Sequence, residues 1–261
     1  MTAPVFVVPE SAIDDVRPGA TVRLDGPEGR HAATVRRLTA GEPLRLVDGV
    51  GRYAEAVVAS VVDSSTIDVT VSRAGREPVP APRIVVAQAL PKGERGELAV
   101  EMLTEVGADV IVPWAAERCI AVWRGDKAER GRRRWADAAH AAAKQSRRTW
   151  FPDVAPLATT ADVARLAAGA ALALVLHEDA TDPIGDVVLP PAGDVLLVVG
   201  PEGGIGLGER DTLAAAGARE VRLGPTVLRT STAGVAAVSA LLAPSARWRD
   251  RAAAPDARMV P

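Results

Sequence analysis

The chain has 261 residues, 48 % apolar and 25 % charged, enough for one large domain or for a large and a small one with separate cores. Its formal net charge of −2 carries no global nucleic-acid signature, so any basic footprint has to be local. The single cysteine, Cys119, excludes an internal disulfide framework; His31, His140 and His177 lack metal-site spacing, and no apolar run reaches membrane-spanning length.

Residues before about 75 read as all-β. Segments 21–24, 43–48, 52–62 and 66–72 alternate or run apolar with β-branched residues, and turn residues at 48–51 and 63–65 separate them. A small barrel is the natural closure for so many short strands, interrupted by one helical stretch at 31–38 after Pro27, Glu28 and Gly29. Residues 74–83, with Gly75, Pro78, Pro80 and Pro82, read as a linker. The expected division is a barrel over 1–75, a linker over 76–83, a second domain over 84–246 and a tail over 247–261 that frays beyond Trp248.

Beyond the linker, strands alternate with helices, the mark of a mostly parallel sheet covered on both faces. Strands are expected at 84–90, 109–114, 171–176, 194–199 and 220–223, and helices at 95–106, 126–146, 161–168, 207–216 and 231–243, with Gly107 as a C-terminal stop. Trp135 lies at helical spacing from Ala138, Ala139 and Ala142 and reads as core rather than as a stacking platform. Cys119, beside Ile120, Ala121 and Val122, reads as a small buried hydrophobe.

The most specific signals are two glycine-bearing loops. The run 195–199 feeds Gly200-Pro201-Glu202-Gly203-Gly204, and the strand at 220–223 feeds Gly224-Pro225 and then Leu228-Arg229-Thr230. A buried strand ending in glycine lets backbone groups approach a ligand closely. Neither loop carries a G-x-G-x-x-G fingerprint, and no glycine is followed by Lys and then Ser or Thr, which disfavours a Rossmann dinucleotide site and a Walker-type phosphate loop.

The pair of loops resembles the cofactor site of the knotted SPOUT methyltransferases, and within them the RsmE family. The resemblance extends to residues 31–42 (HAATVRRLTAGE), 92–107 (KGERGELAVEMLTEVG), Glu117-Arg118-Cys119 and Gln145-Ser146-Arg147-Arg148, in the same order along the chain. It departs at Arg30, Met102 and Ser231, where the family often has His, Lys and Glu. The resemblance implies a PUA-like β-barrel followed by an α/β trefoil-knot domain, a homodimer, S-adenosylmethionine as cofactor, and methylation of N3 of a uridine in the 16S RNA of the small ribosomal subunit. It implies a cofactor pocket of Leu176, His177, Glu178, Val199, Gly200, Pro201, Glu202, Gly203, Gly204, Leu223, Gly224, Leu228, Arg229, Thr230 and Ala233. A ribose 2′-oxygen methyltransferase of the same superfamily and a non-catalytic RNA-binding assembly factor are the alternatives.

Methyl transfer from a sulfonium needs aligned reactants, no metal, and a target base taken out of pairing. Arg229 is the candidate to stabilise the uracil anion that develops; Glu202 either caps the following segment or orients substrate. Candidate RNA contacts are His31, Arg36 and Arg37 in the barrel, Lys92, Arg95 and Arg118 near strand ends, and Arg132, Arg133, Arg134, Arg147 and Arg148. The last five belong to segment 124–148, where nine basic residues face three acidic ones in a chain whose total is negative. A soluble, cytoplasmic enzyme is the expectation, since residues 1–9 lack the pattern of a leader.

Overall fold

The computed structural model describes residues 3–93 and 95–249, which divide into two compact units. The first comprises residues up to Val79 together with Ala143–Phe151; the second comprises Pro80–Ala142 and the chain from Pro152 onward.

The first unit contains β1 (Val5–Val7), α1 (Glu10–Ile13), β2 (Thr21–Leu24), α2 (Gly26–Arg30), a π-helical turn (His31–Val35), β3 (Pro43–Val47), β4 (Arg52–Asp63) and β5 (Thr66–Arg76). Its sheet has the order β1-β3-β4-β5-β2, antiparallel except for the parallel pair β1 and β3. Three register shifts along β4 and β5 bend this long ribbon around its core. That core gathers Phe6, Leu24, Leu44, Leu46, Ile67 and Val69, the inward positions of alternating strands.

Two boundaries differ from those read in the sequence. Strand β5 continues to Arg76 because its partner β4 extends to Arg52, and Gly75 leaves room for the Tyr53 ring, whose hydroxyl lies 2.9 Å from where a Cβ would stand. Residues 143–151, read as part of the second domain, pack in the first unit. There the Gly51 amide donates to the Thr149 carbonyl at 3.1 Å, the Phe151 amide to the Gly49 carbonyl at 2.9 Å, and the Trp150 indole to the Glu77 carbonyl at 3.2 Å. Gly51, at φ +101°, admits the Trp150 indole 2.5 Å from its missing Cβ, so two constraints select glycine there.

The second unit contains β6 (Arg83–Ala89), α3 (Arg95–Glu105), β7 (Val110–Trp114), most of α4 (Asp126–Gln145), β8 (Asp153–Val154), α5 (Thr160–Gly169), β9 (Leu172–Leu176), β10 (Asp194–Val199), α6 (Leu207–Ala215), β11 (Arg219–Val221), α7 (Thr230–Leu242) and α8 (Ala246–Arg249). Its sheet runs β11-β9-β10-β6-β7-β8 with every pair parallel. Parallel strands covered on both faces should be apolar throughout, and β10 shows it: Val195, Leu197 and Val199 join one core with α3, α4 and α7, while Leu196 and Val198 join the other with α5 and α6.

Local sequence sets the helix ends. Thr159 caps α5 through a reciprocal pair of hydrogen bonds with Asp162. Helix α4 buries Gly131, Trp135, Ala139, Ala142 and Ala143, one stripe at helical spacing. Trp135 is 1 % exposed and packs edge-to-face on Trp123 with ring centroids 5.2 Å apart, so it is core. Among the described residues no helix is long and apolar enough to cross a membrane. The tail beyond Arg249 lies outside the described residues.

Candidate functional site

In an open parallel sheet, ligands bind outside the carboxyl ends of the strands, where connections diverge. The second unit has such a cleft, about 310 Å³ in volume, at the ends of β9, β10 and β11 and the start of α7. Strand β9 contributes Leu176 and the turn after it His177 and Glu178; β10 runs into Val199, Gly200, Pro201, Glu202, Gly204 and Ile205. Beyond β11 come Arg222, Leu223, Gly224, Thr226, Val227 and Leu228, and α7 closes the wall with Arg229, Thr230 and Ala233. Every residue assigned to the cofactor pocket from sequence lines this cleft except Gly203, which lies on the loop's exposed side. Ile205, Arg222, Thr226 and Val227 line it without having been named; the last two stand inside the loop already singled out, between Pro225 and Leu228.

Aliphatic side chains and glycines make up most of the walls, with His177, Thr226, Thr230 and four charged side chains among them, a composition that suits a flat heteroaromatic ring with a polar chain. Gly204 (φ +72°) and Gly224 (φ +146°) hold conformations that side-chain-bearing residues rarely adopt, and no protein atom stands within 4 Å of a Cβ built on Gly224. His177 is oriented by its own loop, since its Nδ1 accepts from the Asp179 amide at 3.2 Å. Thr230 is buried and starts α7, whose Gly234 packs closely on Leu103 and Val199.

Charged groups gather at the rim. Arg229 is exposed and makes no ion pair among the described residues; its carbonyl accepts from the Thr232 and Ala233 amides, so its backbone is fixed while its side chain is not. Glu202 is exposed, and its Oε1 accepts from the Lys92 amide at 3.3 Å. The Arg118 guanidinium donates to the Gly203 carbonyl at 3.1 Å. Cys119 beside it is half-buried, and burial raises its thiol pKa, which agrees with an inert packing role.

The basic stripe on α4 is less free than its composition suggests. Arg132 forms a forked pair with Glu129, Arg133 reaches the same carboxylate at 3.0 Å, and Arg134 lies 3.5 Å from Glu97. Hydrogen bonds from Arg132 and Arg133 pull the Glu129 carboxyl down to about 2. In the first unit His31 stacks edge-on against Phe6, and Arg148 donates to the Trp150 carbonyl. Arg37 and Arg147 are exposed and stand at φ +54° and +60°, the only non-glycine residues at positive φ among those described.

The family model of an RNA methyltransferase domain matches residues 77–242, and that of an RNA methyltransferase PUA domain matches residues 24–72. The ribosomal RNA small subunit methyltransferase E of Mycobacterium bovis is 48 % identical over 235 residues, 88 % of this chain and 89 % of that protein. Two solved structures superpose with a TM-score of 0.77. One is a methyltransferase from Legionella pneumophila with the cofactor SAM bound, 28 % identical over 93 % of this chain and 98 % of that one. The other is a ribosomal RNA small subunit methyltransferase E from Neisseria gonorrhoeae bound to S-adenosyl methionine, 27 % identical over 92 % of this chain and 96 % of that one. Identity of this extent across both domains settles the kinship: the chain belongs to the ribosomal RNA small subunit methyltransferase E family.

Proposed function

We propose that the cleft at the ends of β9, β10 and β11 binds S-adenosylmethionine and that the chain methylates N3 of a uridine in 16S RNA of the small ribosomal subunit. The observation that carries this reading is the convergence of the two glycine loops on one cleft, with Arg229, which makes no ion pair among the described residues, on its wall. The bound cofactor supplies an electrophilic methyl group. The residues of the chain do the rest: backbone groups of 176–178, 200–202, 204 and 223–224 hold the cofactor, and Arg229 offsets the negative charge that grows on the uracil ring as N3 loses its proton. Glu202, tied to Lys92, orients the loop that faces the incoming base. Within this reading the first unit docks RNA, the protein works as a cytoplasmic homodimer, and the second unit threads into the trefoil knot.

Labelled methyl transfer to small ribosomal subunits that lack the modification, followed by digestion and nucleoside mass spectrometry, tests the reaction. Recovery of 3-methyluridine is expected. A 2′-O-methyl nucleoside would assign the alternative chemistry, and tight RNA binding without transfer would leave only a binding role.

RNA contacts are proposed for His31, Arg36, Arg37, Arg147 and Arg148 in the first unit and for Lys92, Arg95, Arg118 and Arg132 to Arg134 in the second. The backbone at Arg37 and Arg147 supports two of these. A left-handed conformation costs a non-glycine residue about 1–2 kcal/mol, and both arginines stand just past a helical segment where glycine is the usual choice. A side chain kept against that cost points to a use for its charge. Arg37→Gly and Arg147→Gly are expected to leave thermal stability unchanged or raise it by up to about 1 kcal/mol while weakening RNA binding and flattening its salt dependence. Variants that bind RNA with the wild-type salt slope would remove these two residues from the interface.

A further inference from the structure

The first turn of α6 carries a carboxylate that no step of the chemistry above requires. Glu209 is 7 % exposed and forms no ion pair among the described residues. Three donors satisfy it instead. Its Oε2 accepts from the Gly206 amide at 3.1 Å, and its Oε1 accepts from the Glu117 amide at 2.9 Å and from the Thr160 hydroxyl at 2.8 Å. The Thr160 oxygen in turn accepts from the Trp114 indole at 3.3 Å. Capping α6 requires only the Gly206 contact, and an exposed side chain would serve for it. Burying an anion without a cation costs desolvation that the extra bonds have to offset, so the contact to Glu117 needs its own explanation.

Glu117 is followed by Arg118, and Arg118 is clamped from its other side. Its guanidinium donates to the Gly203 carbonyl, and its Cβ stands 3.0 Å from where a Gly203 Cβ would be. The single carboxylate of Glu209 therefore fixes the end of the Gly200 to Gly206 loop and the backbone beside Arg118 at once. Arg118 is exposed and does not line the cleft; it contacts the outward side of the loop, through a residue, Gly203, that also stays out of the lining. Its remaining N–H groups are thus offered to something outside the cleft rather than to the cofactor.

We infer that Glu209 is a positioning residue that holds Arg118 at the rim as a fixed cation, and that Arg118 takes a phosphate of the RNA next to the target nucleotide. The inference rests on the RNA-methylating reading and deepens it. A planar guanidinium held on one side by a carbonyl is pre-organised for a charge-assisted bond to phosphate.

The test is a double-mutant cycle on the full-length protein with Glu209→Gln, Arg118→Ala and both together, measuring KM for RNA, kcat, cofactor Kd and the salt dependence of RNA binding. Glu209→Gln keeps the shape but cannot accept from all three donors. Each single variant is expected to raise KM for RNA about tenfold, the order expected for one lost hydrogen bond to a charged group, with cofactor Kd changed by no more than about twofold. In the Arg118→Ala background Glu209→Gln should add nothing, and the slope of log K against log salt should fall by about 0.7 in every variant. Additive effects, or a KM for RNA that Glu209→Gln leaves alone, would overturn the inference, as would weakening of the cofactor in parallel. Should Glu209→Gln fail to fold, Gly203→Val gives an independent reading, because its side chain displaces Arg118 without touching the carboxylate; a wild-type KM for RNA in that variant also overturns it. Methyl transfer by the wild type in the same assay checks the underlying reading separately.

Discussion

Replacing Arg229 by alanine is expected to lower kcat for methyl transfer about a hundredfold, the usual cost of removing one group aimed at developing charge, while cofactor Kd stays within about twofold. The structure separates these two effects. The wall of the cleft is built here from the backbone around Arg229, where φ −66° and ψ 151° and the two amides that its carbonyl receives are compatible with any residue. The side chain makes no ion pair among the described residues, so its removal orphans no partner. Arg229 also sits at the N-cap of a 13-residue helix, the end where the helix dipole disfavours a cation by about 0.3–1 kcal/mol. Arg229→Ala should therefore melt no lower than wild type. An arginine held at a locally unfavourable place beside a ligand cleft is the pattern of a group retained for chemistry rather than for folding. Arg229→Lys should recover part of the rate, since the charge returns without the planar fork. Wild-type kcat in the alanine variant would remove the side chain from the reaction, and loss of cofactor affinity in parallel with kcat would move it to the cofactor site.

The strands and helices of the second unit were legible because each carries a strong local pattern. The apolar run 195–199 gave β10 almost to the residue, and Trp135 at helical spacing from Ala138, Ala139 and Ala142 lies within the helix read over 126–146, which is α4. The cleft was legible for a related reason: glycine after a buried strand marks where backbone meets ligand, and both such loops converge on one site. What sequence missed is non-local. Strand β1 is three residues long, lies between prolines at 4 and 9, and exists through its parallel partner Pro43–Val47. Strand β8 has two residues and depends on β7 in the same way. Trp150 gave no pattern to read, because its place is decided by Gly51 across the fold of the first unit. Arg37 and Arg147 stand at positive φ where glycine would have announced the turn. The pairing of Arg132 and Arg133 with Glu129, by contrast, follows helical spacing and could have been taken from sequence before the stripe was counted as free charge.

The largest stability effect is expected where sequence reading saw only tail. Arg247, on α8, is 14 % exposed at its side chain and forks onto Asp109, itself 8 % exposed, with nitrogen to oxygen distances of 2.7 and 3.1 Å. The same guanidinium donates to the Pro82 carbonyl at 2.9 Å and to the Gly107 carbonyl at 3.0 Å, while Asp109 also accepts from the Ile84 amide at 2.8 Å. One side chain thus ties α8 to the entry of β6 and to the turn after α3. Arg247→Met should cost about 3 kcal/mol, because it takes the forked guanidinium away from a largely buried carboxylate and from two carbonyls, while the Ile84 amide and the charge of Arg83 still act on Asp109. Denaturant midpoints would read the loss directly. Asp109→Asn should cost a comparable amount from the other side, and the double variant should recover much of it, since the penalty belongs to a buried charge deprived of its counter-charge more than to the pair. Arg247→Lys should recover less, because one ammonium cannot reach both oxygens and both carbonyls in the plane that arginine spans. The latch lies at the amino ends of β6 and β7, whereas the cleft lies at the carboxyl ends of β9, β10 and β11, so kcat per folded molecule should survive in all of these variants. A loss under about 1 kcal/mol in Arg247→Met would mean that water reaches Asp109 as readily as the guanidinium does, and α8 would then add contact without holding the unit together.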